Sequence, residues 1–268
     1  MQKGIDVSRH QGNINWGHVD ADFAIIRAGY GREVSQKDGQ FENNYTGCKS
    51  NKIPVGCYWY SYALDAEDAK REAKACLEVI KGKTFEYPIY FDIEESSQAE
   101  LSADKVTEII KAFCDEVEKA GYWVGVYSFA SFLTSKLKDK NRYAVWVAHT
   151  NTAKPNYNGN YGMWQYSHTG RVKGISGDVD LNYCYFDYPT AIKKAGLNGF
   201  KKKSEDKKSE DKKSEDKKKK ETIYEVEEND DLSKIAEKFG TTWQAIYEKN
   251  KDKIDDPDLI YPGQKLRI

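Results

Sequence analysis

Residues 87–96 read Tyr87-Pro88-Ile89-Tyr90-Phe91-Asp92-Ile93-Glu94-Glu95-Ser96, an apolar run that ends abruptly in acids. Its length and composition fit a buried β-strand. Side chains at i and i+2 of a strand share a face, so Asp92 and Glu94 point one way and Ile93 the other. Two carboxylates this close raise each other's proton affinity, and aromatic walls add desolvation, so one of them can keep its proton near neutral pH. That is what a general acid needs. The plainer alternative is a strand that ends in solvent with acids capping the next helix, which Ser102-Ala103-Asp104 opens soon after.

Outward from this segment, short β-rich runs alternate with helical patterns over the first 190 residues. The strand candidates are 4–7, 23–28, 55–61, 88–93, 123–128, 144–148, 162–166 and 179–186. Two helices carry clear apolar faces at three-or-four spacing: Ala69, Ala73, Cys76, Leu77 and Ile80, then Val106, Ile109, Ile110, Phe113 and Val117. This is the signature of an α/β fold, a parallel sheet wrapped by helices, and eight strands suit a barrel. The later connections are too short for full helices, so the second half should be irregular or partly antiparallel. Catalytic groups of such barrels gather at the C-terminal ends of the strands. Asp6 ends the first strand and Asp180, in Asp178-Val179-Asp180-Leu181-Asn182, opens the last, so closure should bring both to the mouth that holds Asp92 and Glu94. Four inward acids without Lys or Arg partners would be costly as structure alone, which points to a functional pocket.

Among the 268 residues, 42 Lys and Arg nearly cancel 43 Asp and Glu, and the net charge of -1 gives no argument for nucleic acid or an anionic membrane surface. No apolar stretch is long enough to span a bilayer, so no membrane insertion is expected. Cys48, Cys57, Cys76, Cys114 and Cys184 show no paired spacing and read as buried free thiols. His10, His18, His149 and His168 lack zinc-type spacing, so neither a metal nor a cofactor is expected. Met1-Gln2-Lys3 runs straight into the first strand, which leaves no signal peptide.

The clearest boundary is the tract 201–220, in which Lys-Lys-Ser-Glu-Asp recurs at 202, 207 and 212. It has no apolar residue and reads as a solvated tether, with a root-mean-square span of roughly 25 Å as a flexible coil. The expected organisation is a catalytic barrel over 1–196, a charged linker over 197–221 and a small α+β domain of strand-helix-helix-strand order over 222–268. In the last, Asp230 or Asp231 caps a helix with Leu232, Ile235, Ala236 and Phe239 on its apolar face and Gly240 as its stop. Thr241 or Thr242 caps a second helix with Trp243, Ile246 and Tyr247. Pro262-Gly263 then turns the chain into a closing strand with Leu266 and Ile268.

In order along the chain, Gly4-Ile5-Asp6-Val7-Ser8-Arg9-His10-Gln11-Gly12 with Ile14-Asn15-Trp16, Phe23-Ala24-Ile25-Ile26-Arg27-Ala28, Tyr58-Trp59-Tyr60-Ser61-Tyr62, Asp92-Ile93-Glu94, Trp164-Gln165-Tyr166 and Val179-Asp180-Leu181-Asn182 resemble the muramidases of glycoside hydrolase family 25. The resemblance covers about 190 residues and implies a lysozyme, an irregular TIM-like barrel acting on peptidoglycan glycan strands. It implies that Glu94 protonates the leaving oxygen, that Asp92 tunes it, and that Asp180 orients or charge-stabilises the substrate's own N-acetyl group while Asp6 positions the pair. Tyr58, Tyr60, Tyr62, Trp164 and Tyr166 would line the groove and stack on sugar faces, although alternate strand aromatics must face the surrounding helices. The last 47 residues, with Tyr224-Glu225-Val226, Leu232-Ser233-Lys234-Ile235-Ala236, Asn250 and Tyr261-Pro262-Gly263-Gln264, resemble a LysM module. That implies binding to chains containing N-acetylglucosamine through the loop after Val226 and the stretch before Pro262. Asn229 departs from the usual Gly, a change that a left-handed turn tolerates. The two-part layout without a leader suggests a phage endolysin, held in the host cytoplasm until a holin releases it. A bacterial autolysin is the alternative, and a barrel kept only for wall binding a further one.

Overall fold

Alternating apolar runs and amphipathic helices predict a two-layer barrel, and the computed structural model of the chain has that architecture. It describes residues 1–201, 223–227, 230–251, 253–254, 257 and 260–268. The tether from 202 on, Asn229 and Leu259 lie outside the described residues. In chain order the first unit runs β1 (Gln2–Val7), β2 (Phe23–Tyr30), α1 (Phe41–Ser50), β3 (Val55–Tyr60), α2 (Ala66–Ile80), β4 (Ile89–Asp92), α3 (Ser96–Ala99), α4 (Ala103–Lys119), β5 (Val124–Phe129), α5 (Ala130–Lys136), β6 (Ala144–Ala148), β7 (Met163–Gly170), β8 (Val179–Cys184) and α6 (Tyr188–Ala195).

Strands β1 to β8 close into a barrel in sequence order. Each of β1 to β6 pairs in parallel with the next, whereas β8 is antiparallel to both β7 and β1. The reversal follows from chain length. Residues 171–178 between β7 and β8 are too few for the crossover that a parallel return requires. The β8 pairing sets Asp180 directly across from Asp6 and Asn182 across from Gln165.

Strand alternation sorts the aromatic residues into two cores. Phe23, Ile25, Tyr90, Tyr127, Trp146 and Met163 fill the barrel interior. Ala24, Ile26, Phe91, Ile93, Val145 and Val147 face outward and meet the helices. There Phe91 stacks on Phe113 of α4 with ring centroids 4.2 Å apart. Gly125 is needed at its place in β5, because a Cβ there would lie 2.4 Å from the Tyr90 ring. The helix starts obey local rules: Asp65 accepts from the Asp68 amide at 2.8 Å ahead of α2, and Ser102 from the Lys105 amide at 3.2 Å ahead of α4. All five cysteines are buried free thiols.

The barrel extends beyond residue 196. Asn198, fully buried, accepts from the Trp123 amide at 2.6 Å and donates to the Tyr87 carbonyl at 2.8 Å, closing the end of the barrel opposite the acids. Leu197 and Phe200 pack against the same core. Residues 197–200, read from sequence as the start of the tether, thus belong to the barrel unit because they satisfy its exposed strand ends.

The C-terminal unit pairs β9 (Ile223–Glu225) with β10 (Lys265–Arg267) in antiparallel fashion, against α7 (Leu232–Lys238) and α8 (Trp243–Lys249). Asp231 is the cap of α7, accepting from the Lys234 amide at 2.8 Å, and Thr242 caps α8 through the Ala245 amide at 3.0 Å. Asp230 instead accepts from the Tyr224 hydroxyl and the Glu227 amide, at 2.7 and 2.8 Å. Asn250, fully buried, ties α8 to the last strand by donating to the Ile246 and Arg267 carbonyls at 2.7 and 2.9 Å and accepting from the Arg267 amide at 2.8 Å. Asn250→Ala strips all three bonds and leaves buried backbone groups unpaired, so it should destabilise this unit by about 2–4 kcal/mol. Hydrogen exchange is the check: protection should fall across β10 and α8 and stay unchanged in the barrel, whereas unchanged protection in β10 would refute this clamp.

Candidate active site

Strand β4 carries its side chains outward and inward in turn, and the chain leaves the barrel with Asp92 and Glu94 still on the inner side. Ile93 between them is buried among the outer apolar residues. Asp6, Asp92, Glu94 and Asp180 line one polar cavity of about 330 Å³ with Arg27, Tyr58, Tyr60, Tyr127, Trp146 and Gln165. Glu94, Tyr127, Gln165 and Asp180 also edge an adjoining groove of about 910 Å³ formed by the ends of β5 to β8. Glu95 takes the capping role instead. It is the N-cap residue of α3; its side chain accepts from the Tyr60 hydroxyl at 2.8 Å, and Gln98 accepts from its amide at 3.0 Å.

Burial sets the electrostatics. Glu94 is pushed up to about 7, by desolvation first and then by the charges of Glu95 and Asp180. Asp92 rises for the same reasons, desolvation and then Glu94 and Asp6, with Arg27 opposing. Asp6 is raised by burial and by Asp180, although the Asn182 and Gln165 amides pull the other way. Asp180 is raised by desolvation, against a hydrogen bond with Asp6 and the nearby His168, which favour its charged form.

A hydrogen-bonded chain holds Asp6. Gln165 Nε2 and Asn182 Nδ2 both donate to Asp6 Oδ2, at 2.9 and 2.7 Å. The Tyr127 hydroxyl donates to Gln165 Oε1 at 2.9 Å and the Trp146 indole to Asn182 Oδ1 at 2.8 Å, which fixes both amides with their NH₂ groups toward Asp6. One oxygen of Asp6 is therefore an acceptor only. A further hydrogen bond links Asp6 to Asp180, raising the proton affinity of Asp6 and favouring the charged form of Asp180.

Four of the sequence-predicted residues, the acids, are brought together, and so are Tyr58 and Tyr60. Tyr62 is 48% exposed with its ring 5.3 Å from the Tyr60 ring, and it lines neither cavity. Trp164 and Tyr166 do not reach the groove. Alternation along β7 turns Gln165 inward, so Trp164 is 6% exposed among the outer apolar residues, with its indole donating to the His149 carbonyl at 2.8 Å, and Tyr166 stacks on Tyr183 at 4.2 Å. The expectation of acids without a basic neighbour is also corrected. Arg27, inward on β2, lines the cavity and pairs through Nε with Asp38 at 2.6 Å. Its Nη2 and Asp92 Oδ1 are buried without a hydrogen-bond partner, two unsatisfied polar atoms among the residues that line this cavity. Gln165, Asn182, Tyr127 and Trp146 were not singled out from sequence. Their signal was the strand pairing, which sets Asn182 across from Gln165 and Tyr127 beside Trp146.

A cluster of carboxyls raised by burial at the C-terminal mouth of a barrel, opening on a groove, is an arrangement suited to glycoside hydrolysis. Comparison with known proteins agrees. Residues 5–175 match the sequence model for Glycosyl hydrolases family 25 and residues 224–268 that for the LysM domain, so the chain belongs to glycosyl hydrolase family 25 and ends in a LysM domain. It is 30% identical over 187 residues to the autolytic lysozyme of Clostridium acetobutylicum, covering 67% of this chain and 55% of that one. Against Lysozyme M1 of Streptomyces globisporus the identity is 30% over 198 residues, covering 67% of this chain and 66% of that one. Among solved structures, the autolysin LytC of Streptococcus pneumoniae in complex with a synthetic peptidoglycan ligand superposes with a TM-score of 0.61 at 33% identity, over 69% of this chain and 46% of that one. The lysozyme of Streptomyces coelicolor gives 0.61 at 29% identity, over 74% and 96%. The chain thus spans about half the length of the clostridial and pneumococcal relatives.

Proposed function

We propose that the protein is a muramidase that hydrolyses the β-1,4 bond between N-acetylmuramic acid and N-acetylglucosamine in peptidoglycan. The observation that carries this reading is Glu94, a carboxyl pushed up to about 7, at the junction of the acid cavity and an open groove. In the proposed roles the Glu94 proton passes to the glycosidic oxygen as the bond to the anomeric carbon breaks. Water then supplies the new hydroxyl at that carbon and returns a proton to Glu94. Asp180, kept anionic by the proton on Asp6, faces the substrate's N-acetyl group and stabilises the positive charge that develops there. Asp92 keeps its own proton through burial and shapes the site beside Arg27. Tyr58, Tyr60 and Tyr62 offer ring faces on the β3 side.

The LysM domain, on this reading, holds the enzyme on glycan chains and raises its effective concentration there. Solved relatives include the autolysin LytC and the CTP1L endolysin, 26% identical, and the two-part layout serves a wall-lytic enzyme of either origin. Mass spectrometry of the fragments released from a Gram-positive wall is the test. New reducing ends on N-acetylmuramic acid are expected. Reducing ends on N-acetylglucosamine would reassign the bond, and wall binding without fragment release would replace the hydrolase by a wall-binding barrel.

A further inference from the structure

The groove beside the acids has two chemically different walls. On the β2–β3 side Tyr60 lines the acid cavity and continues outward into a cluster of rings, Tyr62 packing on Tyr60 and edge-on to Tyr30 at 6.3 Å. On the other side, the 910 Å³ groove is lined by Phe129, Ser131, Thr134, His149, Thr150, Asn156 and Asn158 together with Glu94 and Asp180. Lys and Arg are absent from that lining, so an anionic ligand is not what it fits.

Phe129 is the notable member. It ends β5, precedes α5 without capping it by a side chain, and leaves 49% of its surface exposed. A large ring held at a groove edge presents a flat apolar face to whatever enters. The facing segment is built rather than loose. The Trp164 indole pins the His149 carbonyl, and the Asn156 amide donates to His149 Nδ1 at 2.9 Å. That bond places the ring hydrogen of a neutral His149 on Nε2, as a donor. Asn158 Oδ1 accepts from Lys140 Nζ, which turns its NH₂ outward from that contact. An apolar ring that shares one groove with neutral amide, hydroxyl and imidazole groups suits a pyranose ring that has one hydrophobic face and polar substituents at its edge.

We propose that this groove is a saccharide subsite next to the scissile bond, in which Phe129 stacks on an N-acetylated sugar and the His149–Asn156 pair hydrogen-bonds its amide or hydroxyl edge. The proposal rests on the muramidase reading and deepens it by assigning one wall of its groove. It gives the site a direction: the glycan crosses from the tyrosine wall of β3, over Glu94, to the Phe129 wall of β5 and the 149–158 segment.

The experiment uses the full chain and soluble, uncross-linked glycan strands. Phe129→Ala should raise KM at least fivefold with kcat within about twofold, Phe129→Trp should restore KM, and Phe129→Leu should not, since it keeps apolar bulk without a flat face. Asn156→Ala should raise KM about threefold. Phe129 is half exposed, so these variants should melt with the parent. Calorimetry with the Glu94→Gln protein and with the Glu94→Gln, Phe129→Ala double variant reads the subsite without turnover, the LysM domain being common to both. At least fivefold weaker binding to the barrel is expected of the double variant. If the unaltered protein releases no reducing ends, the muramidase reading fails while calorimetry still decides the subsite. Equal KM for Phe129→Ala and Phe129→Trp, or equal affinity of the two Glu94→Gln proteins, overturns it.

Discussion

Glu94→Gln should lower the release of reducing ends from peptidoglycan about 10³-fold, the scale on which a positioned proton donor contributes. Gln keeps the volume and the hydrogen-bonding edge but has no proton to give to the leaving oxygen. The same carboxyl predicts the pH dependence of the unaltered enzyme. With its proton held up to about pH 7, activity should fall as pH rises through 7. Stability follows the same proton with its own sign. Between the ordinary Glu value of 4.5 and about 7 the folded state binds the proton that the unfolded chain has released, so this group's contribution declines as pH rises across that window. Glu94→Gln removes the titration, and at pH 8 it should be more stable than the parent by about 3 kcal/mol, a figure set by the rise from 4.5 to about 7. Thermal midpoints at pH 5 and pH 8, measured on both proteins, decide it. A gap that does not widen with pH would mean that Glu94 titrates normally and is no general acid at neutral pH.

The second large effect separates two substitutions at one position. Asp6→Ala should cost about 10²-fold in rate, since it strips an acceptor from Gln165 and Asn182 and a proton donor from Asp180. Asp6→Asn should stay within about tenfold of the parent. A protonated Asp and an Asn present the same pattern, one oxygen that accepts two amide N–H groups and one edge that donates. Rates for both variants at saturating substrate are the measurement. If Asn is as damaging as Ala, then Asp6 works as an anion or passes its proton during the reaction, and its role as a holder of Asp180 is wrong.

Much of this site can be read along the chain because its acids sit where strands end. Residues 89–94 announce both the strand and its inward phase, since an apolar Ile93 between two acids can only alternate one way in a barrel. The antiparallel last strand was legible from the short connection before it. The phase of β7 was not. Trp164-Gln165-Tyr166 offers two aromatic residues for one amide, and only the pairing of Gln165 with Asn182 turns the amide inward. Arg27 was legible in part, as a lone cation in the run 23–28, but its neighbour Asp38 is supplied by the segment before α1. The Phe129 wall was hidden for a related reason. It is assembled from β5 and the connection 149–162, which has neither helix nor strand periodicity to mark it.

Asp6 and Asp180 lie side by side because the first and last strands of the barrel are neighbours. During synthesis, the proton-sharing pair therefore cannot exist until the ribosome has delivered nearly the whole barrel sequence. Closing so long a loop is also the slow kind of contact in folding. A nascent or truncated chain lacking β8 would have Glu94 in place with no partner across the groove, so the proposed muramidase chemistry would wait for the final strand.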